Sequence, residues 1–228
     1  MMPAGVNGEY LFINLIPIIM GKSRQGIHGN YNGRVGNVVA RKSQGRVILS
    51  IYQPNVANPR TAKQESNRSR FAFISNALRP FLSVAELTAK KWYQFGTYWS
   101  NFIKKNYFVG FSTSTPIETY YDKLVLAEGT LTNPMSPTAS VDSGTLGVTW
   151  TINTGDNVNP NDLAVLVAYN PTNNEMISQV TTAKRSDRQA TLTCPSYWNG
   201  DNAECYFFMK AADSNEFSDS IYLGSQSF

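Results

Sequence analysis

The spacing of hydrophobic residues changes twice along the chain, and each change marks a different kind of secondary structure. Residues 26–52 alternate apolar and polar positions between glycine-rich turns, a pattern typical of β-strands. Residues 58–105 repeat apolar residues at the three- and four-residue spacing of helices. From residue 123 onward short alternating runs return, separated by turn sequences. The pattern predicts an α+β protein: a β-hairpin and two helices, followed by a larger antiparallel β-structure.

The first β region is predicted to be a hairpin with strands at Val35–Arg41 and Arg46–Tyr52, joined at Gln44-Gly45. In the second strand, apolar residues occupy both alternating positions from Val47 to Ile51. Residues at alternating positions point to opposite faces of a sheet. The pattern therefore predicts a sheet with both faces at least partly covered.

The first helix is predicted to begin at Asn58-Pro59 and to run to about Arg79, because Asn caps a helix and Pro is tolerated in its first turn. Two stripes follow helical spacing along it. The apolar stripe is Phe71, Ile74, Leu78 and Phe81, and the cationic stripe is Arg60, Lys63, Asn67 and Arg70.

A capping box of Ser83 and Glu86 predicts a second helix, ending near Lys105. Four aromatic residues repeat along it at the spacing of an oligomer-forming helix: Trp92, Phe95, Trp99 and Phe102. We name this set the aromatic stripe and predict that it contributes to assembly. The alternative is that the two helices pack on each other or on the N-terminal sheet.

The chain from residue 123 onward is predicted to hold seven or eight short strands, the spacing of an antiparallel β-sandwich. The strands are expected near 123–127, 138–142, 145–153, 162–170, 175–183, 189–194, 203–211 and 218–223. Three regions follow from these patterns: an apolar extension (1–19), a basic β/helical module (20–116) and an acidic sandwich (117–228).

The third region resembles fibronectin type III and other immunoglobulin-like sandwiches. The resemblance rests on the strand Val148-Thr149-Trp150, on Leu192 followed by Tyr206 across a corner, and on the closing Ser218-Asp219-Ser220. It implies that Trp150, Leu192 and Tyr206 lie in the sandwich core and that the Tyr206 hydroxyl bonds back to the backbone. Sandwiches of this kind have many roles, so the resemblance implies a fold and no activity.

The N-terminal half carries a second resemblance, in the segment Arg34–Lys42, in Asn58-Pro59-Arg60-Thr61 with Gln64, and in Arg68-Ser69-Arg70-Phe71. These motifs are similar to those of an uncharacterised family of bacterial and phage-associated proteins that end in an immunoglobulin-like sandwich. Ala40 stands where Gly is usual in that family, and the Trp that often follows Arg-Lys is missing. The resemblance implies fold and context rather than chemistry.

Charge is distributed unequally between the two parts of the chain. Residues 1–128 contain 16 Lys and Arg against 6 Asp and Glu, whereas residues 129–228 contain 4 against 10. The cations between residues 22 and 70 form a candidate partner face: Arg34, Arg41, Lys42, Arg46, Arg60, Lys63, Arg68 and Arg70. Such a face fits either nucleic acid or the acidic half of a neighbouring copy, and we favour the copy because it is present at equal concentration.

Few residues suit catalysis or metal binding. His28 is the only histidine, and it stands among glycines outside any nucleophile motif. Gly21-Lys22-Ser23 imitates the end of a phosphate loop without its first glycine. The loop from Asp156 to Asp162 is rich in Asp and Asn but lacks EF-hand spacing, so it is predicted to form turns. We therefore expect no enzyme, no cofactor and no metal.

The two cysteines, Cys194 and Cys205, are predicted to lie in adjacent strands. They could form a disulfide worth about 2–4 kcal/mol, but we favour two buried thiols because two Cys make no disulfide framework. The apolar run Tyr10–Met20 is too short to span a bilayer and lacks the basic start of a signal peptide. It is predicted to be a docking segment or an upstream extension.

Together these patterns predict a non-enzymatic structural protein, either a phage virion component or part of a surface assembly, that oligomerises through its N-terminal module. Its partners would be its own copies and other assembly proteins, in the virion or in the host cytoplasm before assembly. A nucleic-acid-binding protein is the first alternative. A glycan- or receptor-binding module using Tyr197 and Trp198 is the second.

Overall fold

The computed structural model describes residues 22–23, 31–43, 46–55, 60–93 and 96–228. Its contacts divide the chain into two compact units, residues 1–59 and residues 60–228. Both contain antiparallel sheets, and the second also contains helices, so the α+β prediction is confirmed. The strands are β1 Lys22–Ser23, β2 Tyr31–Val35, β3 Val38–Ser43, β4 Arg46–Ile51, β5 Met135–Asp142, β6 Thr145–Thr151, β7 Leu163–Asn170, β8 Glu175–Lys184, β9 Gln189–Thr193, β10 Asn202–Lys210 and β11 Ile221–Ser227, and the helices are α1 Ala62–Leu78, α2 Leu82–Thr88 and α3 Tyr98–Asn106.

The N-terminal sheet has the order β1-β2-β3-β4, and its neighbouring strands are antiparallel. The predicted strand Val35–Arg41 is wrong in one respect, because a turn at Gly36-Asn37 divides it between β2 and β3. Gly36 has a φ of +58°, which glycine adopts without the strain that a side chain would bring. A glycine with positive φ at the first central position suits a two-residue hairpin turn of type II′.

Helix α1 begins later than predicted. Its N-cap is Thr61, whose hydroxyl accepts a hydrogen bond from the Gln64 amide while the Gln64 side chain accepts one from the Thr61 amide. Arg60 has a φ of +46° and so stands outside the helix. The predicted cap, Asn58-Pro59, lies outside the described residues.

The predicted second helix is two short helices. Ser83 lies inside α2, whose N-cap Phe81 makes no side-chain capping bond. The chain leaves helical geometry after Lys91, and α3 starts anew with a capping box formed by Thr97 and Ser100. Gly96 has a φ of +119°, which allows the sharp change of direction before the cap.

The C-terminal strands form two antiparallel sheets, one with the order β11-β10-β7-β8 and one with the order β5-β6-β9. Residues at alternate positions of β7 and β10 enter different clusters of buried side chains. Val165, Val167, Tyr206 and Phe208 join a first cluster with residues of all three helices. Leu166 and Phe207 join a second cluster with residues of the three-stranded sheet. The four-stranded sheet is therefore covered on both faces, by helices on one and by the second sheet on the other.

The segment 123–127 is not the strand that was predicted, although Leu124, Leu126 and Ala127 are buried. The Ala127 carbonyl accepts the Ser220 backbone amide at 3.0 Å, whereas Val125 and Leu126 bond to side chains. The Val125 backbone amide donates to Asn106 Oδ1 at 2.8 Å, and the side-chain Nδ2 of Asn106 donates to the Val125 carbonyl at 3.0 Å. The Leu126 backbone amide donates to Ser220 Oγ at 3.0 Å. The last predicted strand, 218–223, begins at Ile221 in the structure.

The predicted boundary between residues 116 and 117 falls inside the second unit. Helices on one side of that position and strands on the other contribute to the same buried cluster, as Phe102 and Val167 do. The division between the two units lies instead at residues 59 and 60.

Candidate functional site

The N-terminal sheet has one face that is largely apolar. In an antiparallel sheet, residues directly opposite each other point to the same side. The register places Val35 opposite Val38, Val38 also opposite Ile51, and Ala40 opposite Leu49. We define the apolar face by these residues and by Val47, which lies opposite Lys42 at the end of the sheet. Ala40 is buried, but Val35, Val38, Leu49 and Ile51 are exposed.

The opposite face of the same sheet is cationic. The register places Arg34 opposite Val39, Arg41 opposite Ile48, and Ser43 opposite Arg46. The guanidinium of Arg34 lies over the ring of Tyr52, with its central carbon 3.5 Å from the ring centre, and its Nε donates to the Gly36 carbonyl at 2.9 Å. We define the cationic face by Arg34, Arg41 and Arg46. Its charges point away from the apolar face, which explains how one sheet carries both.

The structure divides the predicted basic face between the two units. Lys42 belongs to the apolar face of the sheet, opposite Val47. Arg60, Lys63, Arg68 and Arg70 belong to the second unit, in or just before α1. Arg70 is held by its own unit, because its guanidinium donates to the carbonyls of Ser112 at 2.6 Å and Tyr107 at 3.3 Å. Three of the eight predicted cations therefore share the cationic face of the sheet.

The described residues of the aromatic stripe lie inside the second unit and are not presented to a partner. Phe102 is fully buried, and Trp92 and Trp99 pack against the same cluster. The ring of Phe102 stacks on both, at centroid distances of 5.9 and 6.2 Å. Phe95 lies outside the described residues. Trp92, Trp99 and Phe102 therefore contribute to the core of the second unit, which corrects their assignment to assembly.

The residues predicted for the sandwich core are buried. Trp150 and Leu192 lie in the cluster between the two C-terminal sheets, and the Trp150 indole N–H donates to the Arg185 carbonyl at 3.0 Å. The prediction that Tyr206 lies in the sandwich core is wrong, because its ring points to the other face of its sheet and packs among helix residues. Its hydroxyl donates to the Tyr121 carbonyl at 2.9 Å, so it bonds to backbone that precedes the strands.

Cys194 and Cys205 are free thiols buried in one cluster. They do not lie in adjacent strands as predicted, since Cys205 belongs to β10 and Cys194 follows β9 in the other sheet. Burial raises the pKa of Cys194 to about 11 and that of Cys205 to about 12. Buried thiols with raised pKa values are poor nucleophiles, because the thiolate is the reactive form.

The acidic loop forms a structural ion pair. Asp162 is buried and accepts hydrogen bonds from Arg185 Nη2 at 3.0 Å and Nε at 3.2 Å. The same carboxylate accepts the Asn159 amide, which closes the turn. Among the described residues, no group of three or more His, Cys, Asp or Glu is placed to hold a metal ion.

The other predicted positions contribute no catalytic arrangement to the described parts of the chain. Trp198 is fully buried, while Tyr197 is exposed and its hydroxyl donates to Glu175 Oε2 at 2.6 Å. A pocket of 260 Å³ has Lys105 and Ser220 in its lining. The Lys105 ammonium is paired with Glu128 at 2.7 Å, and the Ser220 hydroxyl accepts the Leu126 amide at 3.0 Å. His28 and Gly21 lie outside the described residues.

Sequence reasoning missed the separation of the two faces. The alternation from Val47 to Ile51 was visible, but the register that aligns it with β2 and β3 depends on the turn at Gly36-Asn37. Recognising this turn would have placed Val35, Val38 and Ala40 beside Leu49 and Ile51. Within the described residues, no helix is long and apolar enough to cross a membrane.

Fold and surface together define an α+β protein of two units, whose candidate site is a small β-sheet with one apolar and one cationic face. The chain belongs to the family described as Family of unknown function (DUF6266), which it matches over residues 29–224. No curated protein matches the chain.

Proposed function

We propose that the protein is a non-enzymatic assembly protein that associates with other chains through the N-terminal sheet. The observation that supports this function is the exposure of the apolar face, where Leu49 is 59% exposed and Ile51 is 77% exposed. A sheet with one apolar face is stable in water when a second layer covers that face. Fully burying one Val, Leu or Ile side chain contributes about 1.5–3 kcal/mol, so covering several of them favours association.

Two further features support a structural role over a catalytic one. The second unit buries both cysteines and the ion pair of Asp162 and Arg185 in its core, which leaves these groups to stabilise the fold. The two antiparallel sheets, with Trp150 and Leu192 between them, suit a fibronectin type III-like or immunoglobulin-like sandwich. Modules of this kind are common in extended assemblies, and the similarity to phage-associated proteins makes a virion or surface assembly the setting that we propose.

A matched pair of substitutions tests this function. Ile51→Asp places a charge on the apolar face, and Phe108→Asp places one on an equally exposed apolar residue, 76% exposed, of the second unit. We expect the native mass of the full chain, measured by light scattering, to fall to that of a monomer for Ile51→Asp and to stay at the wild-type value for Phe108→Asp. An assembly lost only with Phe108→Asp would contradict the proposal.

A nucleic-acid-binding protein is the second candidate, and the cationic face favours it. Arg34, Arg41 and Arg46 lie on one side of one sheet, and the Tyr52 ring beside Arg34 offers a surface for base stacking. Binding through phosphates weakens with salt, with a slope that reports the number of contacts. We expect Arg41→Ala to reduce that slope by about 1 in anisotropy titrations with single-stranded DNA. Lys91→Ala, in the second unit, is the control.

Equal slopes for wild type and Arg41→Ala would remove the cationic face as a phosphate-binding surface. The two candidates also differ in their response to salt. Association through the apolar face persists as salt rises, whereas phosphate binding is lost.

A further inference from the structure

Strand β4 exposes apolar side chains on both faces of the sheet. Leu49 and Ile51 belong to the apolar face, whereas Ile48, which is 39% exposed, points to the cationic side opposite Arg41. A partner that docks on one face covers only part of this set. A strand that lies alongside β4 contacts side chains on both faces, because cross-strand pairs form on each side of a sheet.

Among the described strands, β4 stands at the edge of its sheet, with β3 as its hydrogen-bonded neighbour. The two pair without irregularity over six residue pairs. The Tyr52 amide donates to the Asn37 carbonyl on the β3 side at 2.7 Å. Because amides alternate along an antiparallel strand, those of Ile48 and Ser50 also face β3. The amides and carbonyls of Val47, Leu49 and Ile51 therefore face away from β3, towards the side of β4 where no described strand pairs with it.

The edges of the second unit are protected in ways that β4 is not. Strands β5, β8 and β11 each have a register irregularity against their neighbour, and β5 also contains Pro137. Strand β9 alternates polar residues along its exposed side. Bulges, prolines and polar residues are the devices by which proteins prevent edge pairing. From Val47 to Ile51, β4 has no proline, no charge and no bulge.

We infer that β4 pairs antiparallel with β4 of a second copy of the chain and so joins two N-terminal sheets into one. With Leu49 on the two-fold axis, Val47 lies opposite the second copy's position 51, and all three outward-facing residues of each strand take part. Each such pair exchanges two backbone hydrogen bonds. The strand is compatible with its own copy because its one charge, Arg46, stands at the end and does not meet itself. An isologous interface requires this self-complementarity.

The pairing keeps the two apolar faces on the same side, so the combined apolar surface is continuous across both copies. It also covers Ile48, Leu49 and Ile51 together, which docking on one face does not. This inference rests on the proposed self-assembly and specifies the partner and the contact. The partner is a second copy, and the contact is a sheet edge.

Disulfide trapping in the full chain tests the pairing. Opposite residues of a hydrogen-bonded pair have Cα atoms about 5.5 Å apart, which a disulfide spans. We expect Leu49→Cys to give covalent dimers in more than half of the chains after mild oxidation. Val38→Cys is the control, because Val38 is 43% exposed on the same face but lies on the inner strand β3. It should stay monomeric on a non-reducing gel, as should the wild type.

The outcomes separate the inference from the proposed function. Covalent dimers with Val38→Cys as abundant as those with Leu49→Cys would indicate face-to-face docking and would overturn edge pairing. An oligomer seen by light scattering, with no trapping at position 49, would also overturn it and leave the proposed assembly standing. A native mass equal to the monomer at every concentration would overturn both.

Discussion

Strands β4 and β7 have similar compositions and opposite environments. Both carry apolar residues on both faces, yet seven of the eight residues of β7 are buried, whereas β4 has none that is buried. Strand β7 lies between β10 and β8, with helices on one face and a second sheet on the other. Among the described strands, β4 lies at the edge of its sheet. The number of neighbours, and not composition, decides whether such a strand is buried.

The comparison extends to what each unit can do. The second unit buries most of its large apolar residues in its own core, although some, such as Phe108, are exposed. The N-terminal sheet keeps its apolar residues on the surface, the usual mark of an interaction site. Stability should therefore depend mainly on the second unit, and association should depend on the first.

The largest expected effect is on stability, from a core substitution in the second unit. Phe102→Ala removes a fully buried ring that stacks on Trp92 and Trp99, and should lower the free energy of unfolding by about 3–5 kcal/mol. Leu49→Ala, at an exposed position, should lower it by less than about 1 kcal/mol. Urea denaturation of both variants measures the difference. If the two losses were equal, the contrast between the units would fail.

Breaking the buried ion pair of Asp162 and Arg185 should lower the free energy of unfolding by a similar or slightly smaller amount. Asp162→Ala leaves the Arg185 guanidinium buried without its carboxylate, which should cost about 3–5 kcal/mol of unfolding free energy. Asp156→Ala, in the same loop but exposed, is the control and should change little. A small loss of unfolding free energy for Asp162→Ala would contradict the claim that the Asp162 carboxylate stabilises the buried charge of Arg185.

The sequence predicted the elements whose pattern is local. Strands β6 to β10 were found within about three residues of their bounds, because alternation and turn residues lie within each strand. The break between α2 and α3 was missed, since the aromatic spacing from Trp92 to Phe102 continues across it. Gly96 and the Thr97–Ser100 cap were the signals that could have revealed it.

The candidate site was predicted only in part. Basic residues and alternation were visible, but the assignment of Arg34, Lys42 and Leu49 to particular faces depends on register between strands. The aromatic stripe was assigned to assembly because spacing does not distinguish a core face from an interface. Burial depends on residues distant in sequence, and these decided that Phe102 belongs to the core.

A smaller effect tests the start of α1, whose first turns are exposed and so depend on capping more than on burial. Thr61→Ala should lower the free energy of unfolding by about 1 kcal/mol, because it removes the hydroxyl that accepts the Gln64 amide. Ser69→Ala, an exposed position within the helix, is the control. Helix content by circular dichroism should fall slightly in the first variant. An equal loss of unfolding free energy for Asn58→Ala would instead support a helix that begins at Asn58-Pro59, as the sequence predicts.

The smallest effect appears at high pH and is confined to the second unit. Burial raises the pKa of Cys194 from 9.0 to about 11, so the folded protein retains a proton that the unfolded chain releases. The stabilisation is complete below pH 9 and decreases as pH rises from 9 towards 11. We expect the urea midpoint of Cys194→Ala to fall less than that of the wild type between pH 8 and 10.5. Parallel declines would contradict a buried thiol.

Sedimentation velocity of the wild-type full chain, over a hundredfold range of concentration and at low and high salt, tests association through the N-terminal sheet most directly. The account predicts an oligomer that grows with concentration and persists at high salt, because the contacts are apolar side chains and backbone hydrogen bonds. A monomer at every concentration, or an oligomer that high salt dissociates, would contradict it.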